Sequence, residues 1–284
     1  MGDGSFRRST LRSLVATSAA ASLVGCTLLV DTGGLSGQPV PGQLAPDATV
    51  TDGGRDVTEV ADAAVIRPCP APDDGLLAYF RFDETSGVIA RDCSGNGHDA
   101  VVTNPLWVTG KRGGALAFDG TATCADLGAS TMLIGNGPFT ISAFVQVHVY
   151  ADDSVTKPRY LLSKTSGIPS TNGWRLATDD MATFSFKTAS AGGPQVIQSV
   201  SGQPVDRWLH VASVFEPGKR AEIWVDGTIG ALASASAVAD DPTAPVRIGC
   251  LKTTSFFNGL IDELRLYGRA LSPDEIGALA ALAR

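Results

Sequence analysis

Residues 139–149 read Phe-Thr-Ile-Ser-Ala-Phe-Val-Gln-Val-His-Val, and their alternation decides the fold. Ile141, Ala143, Val145, Val147 and Val149 share one face of an extended chain, while Thr140, Ser142, Gln146 and His148 share the other. Strand side chains point alternately to opposite sides, so this period of two predicts a half-buried β-strand. Working outward, apolar and β-branched runs from Leu76 onward are separated by turn clusters at Asp119-Gly120, Pro217-Gly218-Lys219 and Asp226-Gly227. About a dozen such segments predict an all-β fold, a two-sheet antiparallel jelly-roll sandwich. Asp119-Gly120 and Asp226-Gly227 are expected to turn hairpins, and Gly95 and Gly97 to adopt positive φ in a tight loop. One helix is expected at the end, with Ser272 as its cap, Pro273 at the first position and Asp274 and Glu275 in the first turn.

The 284 residues are 44% hydrophobic and carry a formal charge of −7, with Asp outnumbering Glu 23 to 6. That apolar fraction supports a core, and the acidic balance lacks the basic stripe a phosphate backbone requires, so nucleic acid is excluded as an expected partner. The three histidines, His98, His148 and His210, lie far apart and form no local zinc motif. His148 and His210 read as structural residues, and Trp208 with His210 as a packed corner before Val211.

The N-terminal residues differ in composition from the rest. Arg7, Arg8 and Arg12 precede the small-residue and apolar stretch Ser13–Val24, which has the length of a signal-peptide core and is too short to span a bilayer. Leu23-Val24-Gly25-Cys26 then resembles the lipobox of bacterial lipoproteins, which implies cleavage after residue 25 and acylation of Cys26. Thr27 in the next position favours the outer membrane. The export route stays open between the general pathway and a weak twin-arginine signal at Arg7-Arg8. Residues 26–72 are expected to be the lipidated Cys26 and a flexible tether, because no aromatic residue is present from Thr27 to Pro72 to offset chain entropy. As a coil this tether would span on the order of 40 Å. The domain proper is placed at 73–284.

Within it, Gly75–Ala100, Gly113–Gly128, Phe139–Gln146, Asp206–Ile229, Val246–Gly249 and Phe256–Ile276 occur in the order seen in the LamG-like jelly-roll domain of the concanavalin A-like lectin/glucanase superfamily. The resemblance covers about residues 74–279 and implies two curved antiparallel sheets, with the first strand near the last. With Cys26 reserved for lipid, four cysteines remain, and an exported chain is expected to hold two disulfides among three connectivities. The resemblance, together with Cys69 and Cys93 flanking the first strand, favours Cys69–Cys93 and Cys124–Cys250.

The superfamily's β-glucan hydrolases carry Glu-x-Asp-x-x-Glu on one strand. The six glutamates here, at 59, 84, 216, 222, 263 and 275, give no such spacing, although pairings across strands remain open. Asp262 shares apparent strand parity with Leu264 and Leu266, so its carboxylate is expected to point into the core and to need a partner. The resemblance implies a structural Ca²⁺ near the first and last strands, with Asp83, Asp92, Asn96 and Asp262 as candidate ligands; the alternative makes these residues turn caps and hydrogen-bond acceptors. For carbohydrate, Trp224 lies opposite Ile223 and Val225 and is a candidate platform, with Trp107 and Trp174 as alternatives. Trp224 as a packing residue is the competing reading. The resulting functional expectation is an outer-membrane-anchored, non-catalytic module that recognises a glycan or a protein at the cell envelope. A divergent glycoside hydrolase or polysaccharide lyase, and an adhesion protein without a small ligand, are the alternatives.

Overall fold

A computed structural model describes residues 67–128, 137–150, 158–165, 172–189, 195–238, 240, 242–252 and 255–282. The expected signal peptide, Cys26 and the tether up to residue 66 lie outside the described residues. The chain forms β1 (Leu76–Phe80), β2 (Ile89–Ala90), β3 (Ala100–Thr103), β4 (Leu106–Arg112), β5 (Gly114–Asp119) and β6 (Cys124–Asp126). It continues through β7 (Phe139–Val147), β8 (Arg159–Lys164), β9 (Trp174–Asp179), β10 (Thr183–Thr188) and β11 (Gln195–Gln198). Then follow β12 (Trp208–Glu216), β13 (Arg220–Val225), β14 (Thr228–Ala233), β15 (Val246–Ile248), β16 (Asn258–Tyr267) and helix α1 (Pro273–Ala281).

Two eight-stranded antiparallel sheets result, as the alternation predicts. The first runs β14-β13-β12-β7-β16-β5-β4, with β1 also paired to β16; the second runs β11-β10-β9-β8-β15-β6-β3-β2. Between them lies a core in which Phe139 packs against Trp174 and Phe215 at 5.3 Å and Phe186 at 5.9 Å. Most of the scarce aromatic rings are used here, where burial stabilises the fold.

Strand β7 is central in the first sheet, between β12 and β16. Its inner face, Ile141, Ala143, Val145 and Val147, enters the core as expected. Its outer face departs from the half-buried prediction, because Thr140, Ser142 and Phe144 are also buried. The cause is a second apolar layer over that face, in which Ile276 and Leu279 of α1 pack with Tyr79, Ala212, Val214, Trp224 and Tyr267. The helix starts as the sequence indicates: Ser272 accepts from the Glu275 amide, and Glu275 accepts from the Ser272 amide, closing a capping box.

β16 carries two neighbours end to end on one edge, β5 along Asn258–Ile261 and β1 along Leu264–Tyr267. At the junction the register against β7 gains one residue: Asp262 faces Phe144 and Arg265 faces Ser142. Glu263 sits in this bulge with φ of 51°. The bulge reverses parity, so Ile261, Leu264 and Leu266 all reach the core while Asp262 turns to the outer face. The expectation that Asp262 shares a side with Leu264 and Leu266 is therefore corrected.

Asp226-Gly227 turns the β13–β14 hairpin with both φ values positive, at 49° and 75°. Asp119-Gly120 does not turn a hairpin, since β5 and β6 belong to different sheets. Its carboxylate instead caps the crossing by accepting from the amides of Thr121, Ala122 and Thr123, which holds its pKa well below the usual range despite the opposing cost of burial. Both expected disulfides are present, Cys69–Cys93 with Cα atoms 5.2 Å apart and Cys124–Cys250 at 5.4 Å.

Candidate functional site

Two cavities open on the outer face of the first sheet, and α1 contributes to both. One is a groove of about 480 Å³ with Phe144 and Trp208 beneath Lys111, Asp206, Arg207, Asp226 and Ala280. Its geometry starts from β12. Asp206 has a positive φ of 56°, its amide donates to Val147 and its carbonyl accepts from the Gln146 side chain, which fixes the corner from which Trp208 emerges. Across the groove Asp226 is tied to the same strand, its amide donating to the His210 carbonyl and its Oδ1 accepting from the His210 amide. Arg207 bridges the two walls through a 2.9 Å ion pair with Asp226 Oδ2, and Asp206 holds His148 at 2.6 Å.

Trp208 is only half-buried, and Asp206, Arg207 and Asp226 are exposed. An aromatic ring beside planar hydrogen-bonding groups matches what a sugar offers, a C–H face and a fan of hydroxyls. Beneath them the chemistry is structural. Phe144 packs 5.2 Å from the His210 ring, and burial lowers the His210 pKa to about 4, partly opposed by Asp226.

The three tryptophans singled out in the sequence are elsewhere. Trp174 is 1% exposed in the inter-sheet core and cannot serve as a platform. Trp224 does point to the outer face, but α1 covers it to 8% exposure and its indole N–H donates to Glu222 at 2.9 Å, so the packing reading holds. Trp107 is partly buried, 6.5 Å from the Phe82 ring, and its N–H donates to the Gly87 carbonyl. The partly exposed ring at the groove is Trp208, which the sequence reading assigned to a packed corner. Its neighbours Asp206 and Asp226, the second already recognisable as a turn residue, carried the missed signal.

The other cavity, of about 650 Å³, lies where β1 and β16 meet the segment before β1 and α1. Asp83 and Asp262, two of the four expected calcium ligands, bond to arginines that line it, although none of the four lines the cavity itself. Asp83 accepts from Arg67 and the Gly114 amide and pairs with Arg81, which holds its pKa low against the opposing cost of burial. Asp262 accepts from the Arg112 amide at 2.8 Å, its other oxygen has no hydrogen-bond partner, and burial pushes it up to about 8. Asp92 and Asn96 belong to a different network. Asp92 accepts from the amides of Tyr79, Ser94 and His98 and from the Ser94 hydroxyl, and the Asn96 amide group donates to the carbonyls of Leu76 and Leu77. These side chains do not fit one calcium cage: the Asp83 carboxylate faces guanidiniums, the Asn96 side chain turns its N–H groups to the Leu76 and Leu77 carbonyls, and Asp92 is committed to backbone amides. Asp83 is an ion-pair partner, Asp92 caps the turn that follows it, Asn96 donates to β1 carbonyls and Asp262 accepts from a backbone amide.

A two-sheet sandwich of this order, with a helix over one sheet and an aromatic, charged groove beside it, defines a jelly-roll domain of the lectin-like class. The chain belongs to the concanavalin A-like lectin/glucanases superfamily, whose laminin G-type family model matches residues 99–277. No curated protein sequence matches it. Among solved structures it is similar to domain 4 of AbnA, a GH43 extracellular arabinanase from Geobacillus stearothermophilus, in complex with arabinotriose (TM-score 0.57, 19% identity, 72% of this chain and 98% of that one). It is also similar to botulinum neurotoxin type C, which depends on interaction with two ganglioside molecules to enter cells (0.58, 11%, 74% and 52%). A third is Trypanosoma rangeli sialidase with the inhibitor DANA (0.56, 19%, 74% and 33%). The chain thus spans about half of the toxin structure and a third of the sialidase, and at these identities the likeness is one of fold.

Proposed function

We propose that this protein is a non-catalytic carbohydrate-binding module, carried on a lipid-anchored tether at the outer membrane, and that the glycan seats on Trp208. The observation that carries the reading is the half-exposed Trp208 ring within a groove bordered by Asp206, Arg207 and Asp226. The arabinotriose complex of the similar arabinanase domain and the ganglioside dependence of the toxin lend support from fold relatives. The groove carboxylates are held by a hydrogen-bond contact with the His148 ring and an ion pair with Arg207, an arrangement suited to orienting hydroxyls.

A glycan array followed by titration calorimetry tests this. Binding is expected without release of reducing ends, and Trp208→Ala is expected to weaken it at least about tenfold, a loss of about 1.4 kcal/mol. Release of reducing sugar would overturn the non-catalytic reading, and full affinity in Trp208→Ala would move the site elsewhere. For the anchor, Cys26→Ala is expected to shift the protein from the membrane fraction to the soluble one.

A further inference from the structure

The larger cleft differs in chemistry from the Trp208 groove. Four guanidiniums border it at the β1/β16 end, those of Arg67, Arg81, Arg112 and Arg265. Two carboxylates answer them. Asp83 lies 2.7 Å from both Arg67 and Arg81, and Glu263 lies 2.6 Å from Arg265 and 3.4 Å from Arg67. Further along the cleft Arg269 is answered by Asp74 and Glu275, and Asp73 also lines it, so five guanidiniums meet five carboxylates and the formal charges balance. Asp262 adds little negative charge at neutral pH, because burial favours its neutral form. Arg81 and Arg265 are 6% and 5% exposed, and Arg265 is held in place by Glu263 and by the face of Tyr79, 4.0 Å away. Arg112 is exposed, and its guanidinium has no hydrogen bond or ion pair among the described residues.

The facing wall carries Leu271, Leu279 and Leu282, with Leu282 42% exposed, beside Glu275, which is paired with Arg269. A neutral sugar would leave the Arg112 guanidinium without a countercharge, and a bare inorganic anion would leave the leucines wet. A planar carboxylate matches the fork of a guanidinium, and an apolar body matches the wall.

We infer that this cleft binds a small amphipathic organic carboxylate, its head group on Arg112 and its apolar body against Leu271, Leu279 and Leu282. The site is independent of the glycan groove. Calorimetry of the full chain with decanoate below its micelle concentration tests it, with acetate, inorganic sulfate and glucuronate in parallel. Decanoate is expected to bind at least about 100-fold more tightly than acetate or sulfate. Arg112→Gln and Leu282→Ser, both at exposed positions, are each expected to weaken it at least about tenfold, while Trp208→Ala leaves it unchanged. Absence of decanoate binding to the folded protein, or equal binding by both cleft variants, would overturn the inference. Sulfate binding as tight as decanoate would reduce the cleft to a counter-ion site, and preference for glucuronate would assign it to acidic sugars; either result overturns the apolar requirement.

Discussion

The imidazole of His210 lies 2.8 Å from the hydroxyl of Ser142, and its other ring nitrogen is buried without a hydrogen-bond partner. On the other side of Phe144 in the same sheet stands Asp262, equally buried. The two groups titrate in opposite senses. His210 falls from 6.5 to about 4 on folding, so between those values the unfolded chain binds the extra proton and stability rises with pH. Asp262 rises from 3.8 to about 8, so the folded chain holds the extra proton and stability falls as pH increases through that window. Each slope is about 1.36 kcal/mol per pH unit. Their contributions should nearly cancel between about pH 4 and 6.5 and leave a decline on the order of 2 kcal/mol from there to pH 8. Urea midpoints measured against pH will show this, and Asp262→Asn should abolish the decline; its persistence would remove Asp262 as the source.

Trp208 and Trp224 should separate cleanly. Trp224→Ala opens space beneath α1 and is expected to cost about 3–5 kcal/mol, as for other buried Trp truncations. Trp208→Ala should cost less in thermal unfolding and more in glycan affinity, and the reverse ranking would contradict the assignment of the groove.

Gly110 approaches the Asp262 bulge too closely for any side chain. An added Cβ would lie 2.0 Å from the Gly114 carbonyl oxygen and 2.8 Å from Asp262 Oδ2. Gly110→Ala is expected to destabilise by about 1–3 kcal/mol, the usual range for overpacking, and a neutral result in a urea titration would show that the β4–β5 turn can yield.

The disulfides close loops of very different length, with sequence separations of 24 and 126. By chain entropy, replacing Cys69 and Cys93 with Ala should cost about 3.5 kcal/mol, and replacing Cys124 and Cys250 about 5. Thermal unfolding of the two double variants checks the order; equal losses would indicate that residual structure in the unfolded chain, and not loop length, sets the cost.

What was legible in the sequence was local. The inner face of β7, the Ser272 cap and the Asp226-Gly227 turn are each specified by neighbouring residues and appear as expected. The bulge also left a trace, since Ile261 and Leu264 are both core residues three apart, which strict period two does not permit. Extrapolating parity backward from Leu264 and Leu266 concealed it. Burial of the outer face depends on where α1 docks, and that is set by contacts with Tyr79, Trp224 and Tyr267, remote in the chain. For the same reason the sequence could not rank Trp208 above Trp224: both sit on the outer face, and the helix covers only one.

The Cys69–Cys93 link bears on how the domain withstands pulling. Tension applied from the N-terminal side reaches Cys69 before β1 and is handed through a covalent bond to Cys93, beyond β1 and β2. The intervening loop, which contains β1 and its hydrogen bonds to the last strand, carries none of that force. The fold therefore cannot be unzipped from its first strand by traction from the N-terminal side, and mechanical failure must begin after residue 93.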